Sequence, residues 1–449
     1  MVQDPERDRL SGRLGRFAKV GVGLSGAAAT YGVNSLFGGG DADRRNAKAL
    51  RAALGNLKGP LMKAAQMFAT VPDLLPPEFA AELAELQTNA PAMGWPFVRR
   101  RMAAELGPDW ASRFAQFEPQ AAAAASFGQV HRAVGLDDRH LAVKLQYPDM
   151  LSAVESDLGQ LRALFGLFRR IESSIDPSQM ADEIADRLRE ELDYGREAKQ
   201  MALYGAFFAD RSDIAVPQAV PDLSTGRLLT MDWLEGQGLL TFKTAPLEIR
   251  NRIAKQLFEA WWSPMTTLGV IHGDPHLGNY SFTPDAGCLN LLDFGCVRIF
   301  PPRFVAGVVL LYRSLLANDR AGQAQAYQSW GFTRLSDDLI DVLNVWARFI
   351  YGPLLDNRVR SVADGVAPGD YGRAEAMAVR QALKDKGPVT IPREFVFMDR
   401  AAIGLGAAFL HLGAELNWRA LFEASLADFD ETVLAQRQAA ALEAAGLTA

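Results

Sequence analysis

"HGDPHLGNYSF", His272 to Phe282, and "LLDFGCV", Leu291 to Val297, decide how this chain is read. The first stretch carries an Asp and an Asn five positions apart, and the second an Asp followed by Phe and Gly. Phosphoryl transfer from a nucleotide needs metal ligands on the phosphates, a cation on the same phosphates and a carboxylate beside the attacking group. Asp274 stands where a catalytic-loop aspartate orients or deprotonates the acceptor. Asn279 and Asp293 offer hard oxygen ligands suited to Mg²⁺. The alternation His272-Asp274-His276 also admits a transition-metal reading, with Cys296 as the nearby third ligand. A loop rich in Asp and Asn without chemistry is the bland alternative. Two motifs in register favour the phosphoryl-transfer reading over both.

Working upstream, "LAVKLQ", Leu141 to Gln146, has strand character, with Ala142 and Lys144 on one face so that the ammonium projects toward a cleft. Val130 to Val134, a turn at Gly135 to Arg139, and Leu141 to Leu145 predict a hairpin. A lone strand lysine is ordinarily a solvent-facing charge. The order of alanine-rich loop, lysine strand, acidic helix, Asp-five-Asn loop and Asp-Phe-Gly gives Lys144 a phosphate to meet. "ADEIADRLREELDYGREAKQM", Ala181 to Met201, is predicted as one helix with Ile184, Leu188 and Leu192 as its core stripe. Asp186, Glu190, Asp193 and Glu197 then share another face and need cations opposite them. Glu197 is placed to pair with Lys144, and Glu191, about 120° away around such a helix, must face something else.

The totals bound the class. With 449 residues, 49% hydrophobic and 22% charged, the chain is long enough for one large two-lobed globular domain with appendages. A net charge of -6 gives nucleic-acid binding no support, and two cysteines, Cys288 and Cys296, make no disulfide framework, which fits a reducing cytoplasm. Residues 1–43 read as a basic and then small-residue-rich segment. Within it Phe17 to Phe37 has the length of a membrane span but lacks its Leu/Ile/Phe density, so a membrane-surface or packing helix is expected. Residues 44–118 read as a helical extension, 119–236 as a small mixed lobe with inserted helices, 237–430 as a large helical lobe and 431–449 as an alanine-rich tail. Phe304 to Ala317 has the periodicity of a buried core helix. The predicted class is α+β and predominantly helical.

These residues resemble the UbiB family of aarF-domain atypical kinase-like proteins, which support ubiquinone (coenzyme Q) biosynthesis. "AAASFGQVHRA", Ala123 to Ala133, is similar to the family's alanine-rich replacement for the kinase glycine loop. "ELDYGREA", Glu191 to Ala198, is similar to its Glu-x-Asp segment with the ion-pair glutamate following, and "HGDPHLGN" and "LLDFG" to its catalytic and metal loops. "KAAQ", Lys63 to Gln66, stands where the family has Lys-x-Gly-Gln, with Ala65 in place of glycine.

The resemblance implies a protein-kinase-like two-lobed fold with the helical extension packed over the active site. It implies ATP or ADP with Mg²⁺ as cofactors. Lys144, Glu197 and Asp274 would be catalytic, and Asn279 and Asp293 would hold the metal. Ala123, Ala124, Ala125, Ser126, Lys63, Gln66, Glu191 and Asp193 would border the nucleotide, with Lys63 approaching Glu191. It also implies an atypical kinase or ATPase that is cytoplasmic and peripheral to the inner membrane, with lipid-biosynthetic enzymes as partners.

Alanines in place of glycines restrict the phosphate-facing loop, so nucleotide handling should differ from that of ordinary kinases. Eight residues between Gly295 and Phe304 leave little room for an activation segment, which favours a small or lipid-like acceptor over a protein. The rival readings are a small-molecule phosphotransferase of the aminoglycoside or choline kinase type, and a nucleotide-binding pseudokinase scaffold.

Overall fold

The computed structural model describes residues 93–125, 127–148, 150–151, 154–155, 185–332, 335–368, 371–372, 378–379, 382 and 393–447. The expected membrane-surface helix, most of the helical extension with its KAAQ motif, and Ser126 lie outside the described residues. In chain order the first elements are α1 (Trp95–Leu106), β1 (Phe114–Ala125), β2 (Gly128–Gly135), β3 (His140–Gln146), α2 (Tyr194–Phe207), β4 (Ile214–Ala215), β5 (Leu228–Asp232) and β6 (Gln237–Gly238). There follow α3 (Leu247–Leu268), β7 (Val270–His272), β8 (Tyr280–Phe282), β9 (Leu289–Leu291) and β10 (Val297–Ile299). The remainder is helical: α4 (Pro302–Ala317), α5 (Arg320–Ser329), α6 (Asp337–Leu355), α7 (Arg393–Leu412), α8 (Trp418–Ser425) and α9 (Glu431–Ala444).

The chain divides into two compact units. One contains the described residues up to Arg196 together with Ala219–Trp233, and the other Glu197–Gln218 with Leu234 onward. The first is built on an antiparallel sheet in the order β1-β2-β3-β5. The predicted hairpin is its centre, with Val130 opposite Lys144 and Val134 opposite His140. Helix α1 starts on a Gly94 cap with proline in its first turn and stops at Gly107, whose φ of 92° suits glycine. Its Val98, Met102 and Leu106, spaced one turn apart, share a core with Trp110, Val143 and Leu145. Gly128 is obligatory: a Cβ there would sit 1.9 Å from the Leu145 carbonyl oxygen.

The second unit sets two small sheets among helices. One is the β7–β10 ribbon, and the other runs β4-β9-β8-β6, with β4 and β9 parallel. Helix α3 carries a dense apolar face through Leu257, Trp261, Met265 and Leu268, then ends at Gly269 in the left-handed region. One residue later the chain is strand β7. Helix α4 is the buried core helix expected from Phe304 to Ala317, beginning slightly earlier at Pro302. Helix α9, in the segment read as a tail, packs on α3 and α4. Its buried Gln438 donates to the Leu268 carbonyl at 2.8 Å and to the Phe300 carbonyl at 2.9 Å, tying the chain entering β7 to the chain leaving β10 at one end of the ribbon. Among the described residues no helix is long and apolar enough to cross a membrane.

The long acidic helix is not continuous. Residues 185–190 are helical, Glu191 and Leu192 turn, and α2 begins at Tyr194. Asp193 is the cause, since its carboxylate accepts from the Arg196 backbone N–H at 3.0 Å, the geometry of an N-cap and not of a helix interior. The Leu192 carbonyl released by the break accepts from Gln146 Nε2 at 2.9 Å, and the Tyr194 N–H donates to the Gly226 carbonyl. The angle assigned to Glu191 on a single helix therefore does not hold. Nor do the carboxylates form one face awaiting distant cations. Asp186 pairs with Arg189 at 3.1 Å, and Glu190 with Arg187 and Arg196.

Replacing Gln438 by alanine leaves two buried carbonyls unsatisfied. Urea denaturation is expected to show a loss of about 2 kcal/mol with an unchanged m-value.

Candidate functional site

In the second unit the two motif loops are bound to each other through their backbones. His272, only 2% exposed, ends β7 opposite Val297, and its Nε2 donates to the Asp293 carbonyl oxygen. Its own carbonyl accepts from Trp261 Nε1 at 2.9 Å. Gly273 follows, its N–H on the Cys296 carbonyl at 2.7 Å, and an added Cβ would lie 2.5 Å from that same oxygen. The strands thus approach too closely for any residue but glycine at this point, which delivers Asp274 beside the Asp-Phe-Gly turn.

Asn279 closes the arrangement. Its Nδ2 donates to the Asp274 carbonyl at 3.1 Å, while its own carbonyl accepts from the Leu292 N–H at 3.0 Å. The amide is thereby oriented with Oδ1 left for another partner. Asp293 Oδ1 accepts from the Gly295 N–H at 2.9 Å, holding the carboxylate over its own turn. Glu197, 2% exposed on α2, reaches the Phe294 N–H at 3.5 Å. Asp274, Asn279 and Asp293 are half-buried. Behind them, Tyr204, His272 and Phe294 form an aromatic wedge, with ring centroids 5.4 Å apart for Tyr204–Phe294 and 5.9 Å for His272–Phe294. Burial, then the charges of Asp274 and Cys296, push the Tyr280 phenol far up, so its hydroxyl stays protonated.

The first unit holds the other site residues. Val143 and Leu145 of β3 point into the core, so the alternation puts Ala142, Lys144 and Gln146 on the opposite face, as the sequence predicts. Lys144 is 7% exposed, and its Nζ lies 5.1 Å from the centre of the Tyr194 ring, in reach of a cation–π interaction. Ala123, Ala124 and Ala125 do not form a loop. They end β1, paired with Val130, Gln129 and Gly128. Glu191 is half-buried and Asp193 exposed at the break before α2. Lys63, Gln66 and Ser126 lie outside the described residues.

The structure therefore joins Asp274, Asn279, Asp293 and Glu197 by short backbone-mediated links in one unit, and sets Lys144, the alanines, Glu191 and Asp193 in the other. The transition-metal alternative gains no support. His272 spends Nε2 on a carbonyl, the exposed His276 uses Nδ1 to accept from the Gly278 N–H at 3.1 Å, and no group of three potential ligands occurs among the described residues. Sequence reasoning did not find the bracing done by Trp261 or Gln438. The apolar periodicity of α3 marks Trp261 only as core, and no local pattern marks Gln438.

Residues 85–327 match the model of the ABC1 atypical kinase-like domain, and this chain belongs to that family. It is 28% identical over 338 residues to the protein named atypical kinase coq-8, mitochondrial, of Caenorhabditis elegans, covering 72% of this chain and 45% of that one. It is 26% identical over 332 residues to the atypical kinase COQ8, mitochondrial, of Saccharomyces cerevisiae, covering 71% and 66%. The chain thus spans about half to two-thirds of the length of these curated relatives. Among solved structures it resembles Rv3197 of Mycobacterium tuberculosis, solved in complex with erythromycin. The TM-score is 0.58 at 26% identity, covering 84% of this chain and 95% of that one. The kinase-like α+β fold and the expected family are both established by these likenesses.

Gly273→Ala forces a Cβ into the Cys296 carbonyl. Thermal or urea unfolding is expected to show a loss of about 1–3 kcal/mol, as for an overpacked core. Gly278→Ala, whose Cβ meets only the His276 ring at 3.0 Å, should cost less.

Proposed function

We propose that this protein is an atypical kinase or ATPase that binds an adenine nucleotide with Mg²⁺ and supports the metabolism of ubiquinone or a related isoprenoid lipid. The observation that carries the reading is the bracing of Asp274, Asn279 and Asp293. Their loops are tied by hydrogen bonds from His272 to Asp293 and from Asn279 to Asp274, so three oxygen-bearing side chains are held without spending Asn279 Oδ1. That donor set, an amide oxygen and a carboxylate, suits a hard divalent cation. Asn279 and Asp293 would hold it, and the ion would neutralise charge on the phosphate oxygens.

The remaining roles follow from placement. Lys144 is a buried cation on the face of β3 opposite Val143 and Leu145, where a phosphate tail would add to the compensation of its charge. Glu197 lies one helical turn beyond Tyr194, whose ring lies under the Lys144 ammonium, so the helix presents both residues on the same side. This supports Glu197 as the partner that orients Lys144. Asp274 serves the acceptor hydroxyl or a water as orienting group or base. Ala123 to Ala125, with Ser126, border the phosphates, and as paired strand residues they offer fewer backbone amides than a glycine loop. Lys63 and Gln66, outside the described residues, are proposed to border the nucleotide together with Glu191 and Asp193.

Substrate size can be argued from the chain that follows Gly295. Residues 296–301 are all that separate it from α4, and three of them form β10. No segment remains there to support an extended peptide, so a small or lipid-like acceptor, or ATP hydrolysis coupled to another step, is favoured. Such a role would be carried out in the cytoplasm, at the inner membrane surface, in company with lipid-biosynthetic enzymes. A small-molecule phosphotransferase is the second reading. It draws on the His-Gly-Asp loop and on the solved relative, whose structure is a complex with erythromycin. A pseudokinase scaffold is the third.

The three readings separate in one comparison of wild type with Asp293→Asn, following phosphate release and Mg-nucleotide binding. Release by the variant is expected to fall about a hundredfold, the size typical of losing one preorganised electrostatic group. Equal release from both proteins would leave the scaffold, and rapid turnover on aminoglycosides, choline or a macrolide would establish the phosphotransferase.

A further inference from the structure

Two residues of the alanine-rich motif, Gln129 and His131, take no part in the roles above, yet they are 1% and 0% exposed. Their side chains form a chain of hydrogen bonds whose polarity can be deduced. His131 Nδ1 lies 2.8 Å from the Glu118 carbonyl oxygen, which only accepts, so Nδ1 carries the proton. In the neutral ring Nε2 is then an acceptor, and it faces Gln129 Nε2 at 2.8 Å. The Gln129 amide nitrogen therefore donates to the ring, and it also donates to the Met93 carbonyl at 3.3 Å. Its oxygen accepts from the Met93 N–H at 2.6 Å. Gln129 thus grips both backbone groups of Met93 as a strand partner would, and the imidazole fixes which way its amide points.

The clip sits where it affects the site. Gln129 is opposite Ala124 and His131 opposite Ala121, with the register shifted between Ala121 and Ala123. Met93 directly precedes the Gly94 cap of α1. The His131 ring stacks on Phe117 with centroids 5.3 Å apart. Burial, opposed by the hydrogen bond and charge of Glu118, holds the imidazole below its usual value of 6.5, in keeping with the neutral form. A second proton would set N–H against N–H₂ and break the chain of bonds.

We propose that Gln129 and His131 are positioning residues, a hydrogen-bonded clip that holds the alanine-bearing end of β1 and β2 to the backbone at Met93 and thereby sets nucleotide affinity. The claim on affinity rests on the reading of Ala123 to Ala125 as bordering the phosphates. Gln129→Met keeps the side chain's length and removes the three bonds that Gln129 makes, to Met93 and to His131. Gln129→Glu keeps the acceptor for the Met93 N–H but cannot donate to His131, so the imidazole must take a proton on Nε2 to meet it.

The test combines nitrogen NMR of the His131 ring, exchange of the Met93 amide and calorimetry with Mg-ADP. The wild type should show a neutral ring protonated on Nδ1 and a protected Met93 amide. In Gln129→Met that amide should exchange about tenfold faster and the Mg-ADP Kd should rise by a comparable factor, the scale of one lost hydrogen bond. In Gln129→Glu the ring should be charged at neutral pH and affinity partly restored, a rescue that a purely structural role would not give. This second variant also guards against a folding failure of the first.

A wild-type ring protonated on Nε2, or one titrating at the ordinary value, would overturn the clip. Faster Met93 exchange with an unchanged Kd would overturn its positioning role. A protected Met93 in a wild type that binds no Mg-ADP would instead sink the nucleotide reading, and the affinity claim with it.

Discussion

The second unit depends on one hydrogen bond made away from the chemistry, from His272 Nε2 to the carbonyl of Asp293. Half-buried carboxylates on two short loops resist being held in place, because their charge favours water and their backbones lack a ladder. The bond solves this by joining the loops through main chain and not through the carboxylates. Around it the structure removes slack. Trp261 holds the His272 carbonyl, Phe294 and Tyr204 pack the ring, and Gly273 lets β7 and β10 meet at their closest point. The carbonyl that His272 Nε2 faces can only accept, so that nitrogen carries the proton of the tie.

A different economy governs the first unit. Lys144 is an almost fully buried cation in the middle of a four-stranded sheet, which a soluble domain tolerates only where an anion or a π-face compensates it. Its neighbours show how narrowly the strand is specified. Gly128 is opposite Gln146 because no Cβ fits above the Leu145 carbonyl, and Gln146 spends its amide on the carbonyl freed at the break before α2. Sheet, break and helix start are therefore one construction. The proposed roles of Lys144 and Glu197 follow from that construction together with family membership.

Much of this was legible in the chain itself. The hairpin around Gly135, the lysine strand, the buried helix from Phe304 and the two motif loops follow from period-two alternation, turn residues and spacing. The helix break at Glu191 to Asp193 was not legible. Asp, Leu and Glu all fit a helical pattern locally, and the capping role of Asp193 is decided by Gln146 and Gly226, far away in sequence. The alanines were expected in a loop because glycines occupy the corresponding place in kinases. Alanine has no such need of open backbone, and it extends β1 as far as Ala125. Gln438 was invisible for the same reason as Trp261: a tertiary hydrogen bond to a main-chain carbonyl leaves no mark in periodicity. The Lys63 and Gln66 expectations fall outside the described residues and stay proposals.

The central claim is that Lys144, Asn279 and Asp293 meet on one nucleotide and one divalent ion. A crystal structure of the full chain grown with Mn²⁺ and a non-hydrolysable ATP analogue tests it most directly, because anomalous scattering locates the ion independently of the protein. The account predicts a single Mn²⁺ bonded to Asn279 Oδ1 and the Asp293 carboxylate, with the Lys144 ammonium in hydrogen-bond reach of a phosphate oxygen. A nucleotide bound with its phosphates turned away from Lys144, or an ion held by residues other than these two, would contradict it.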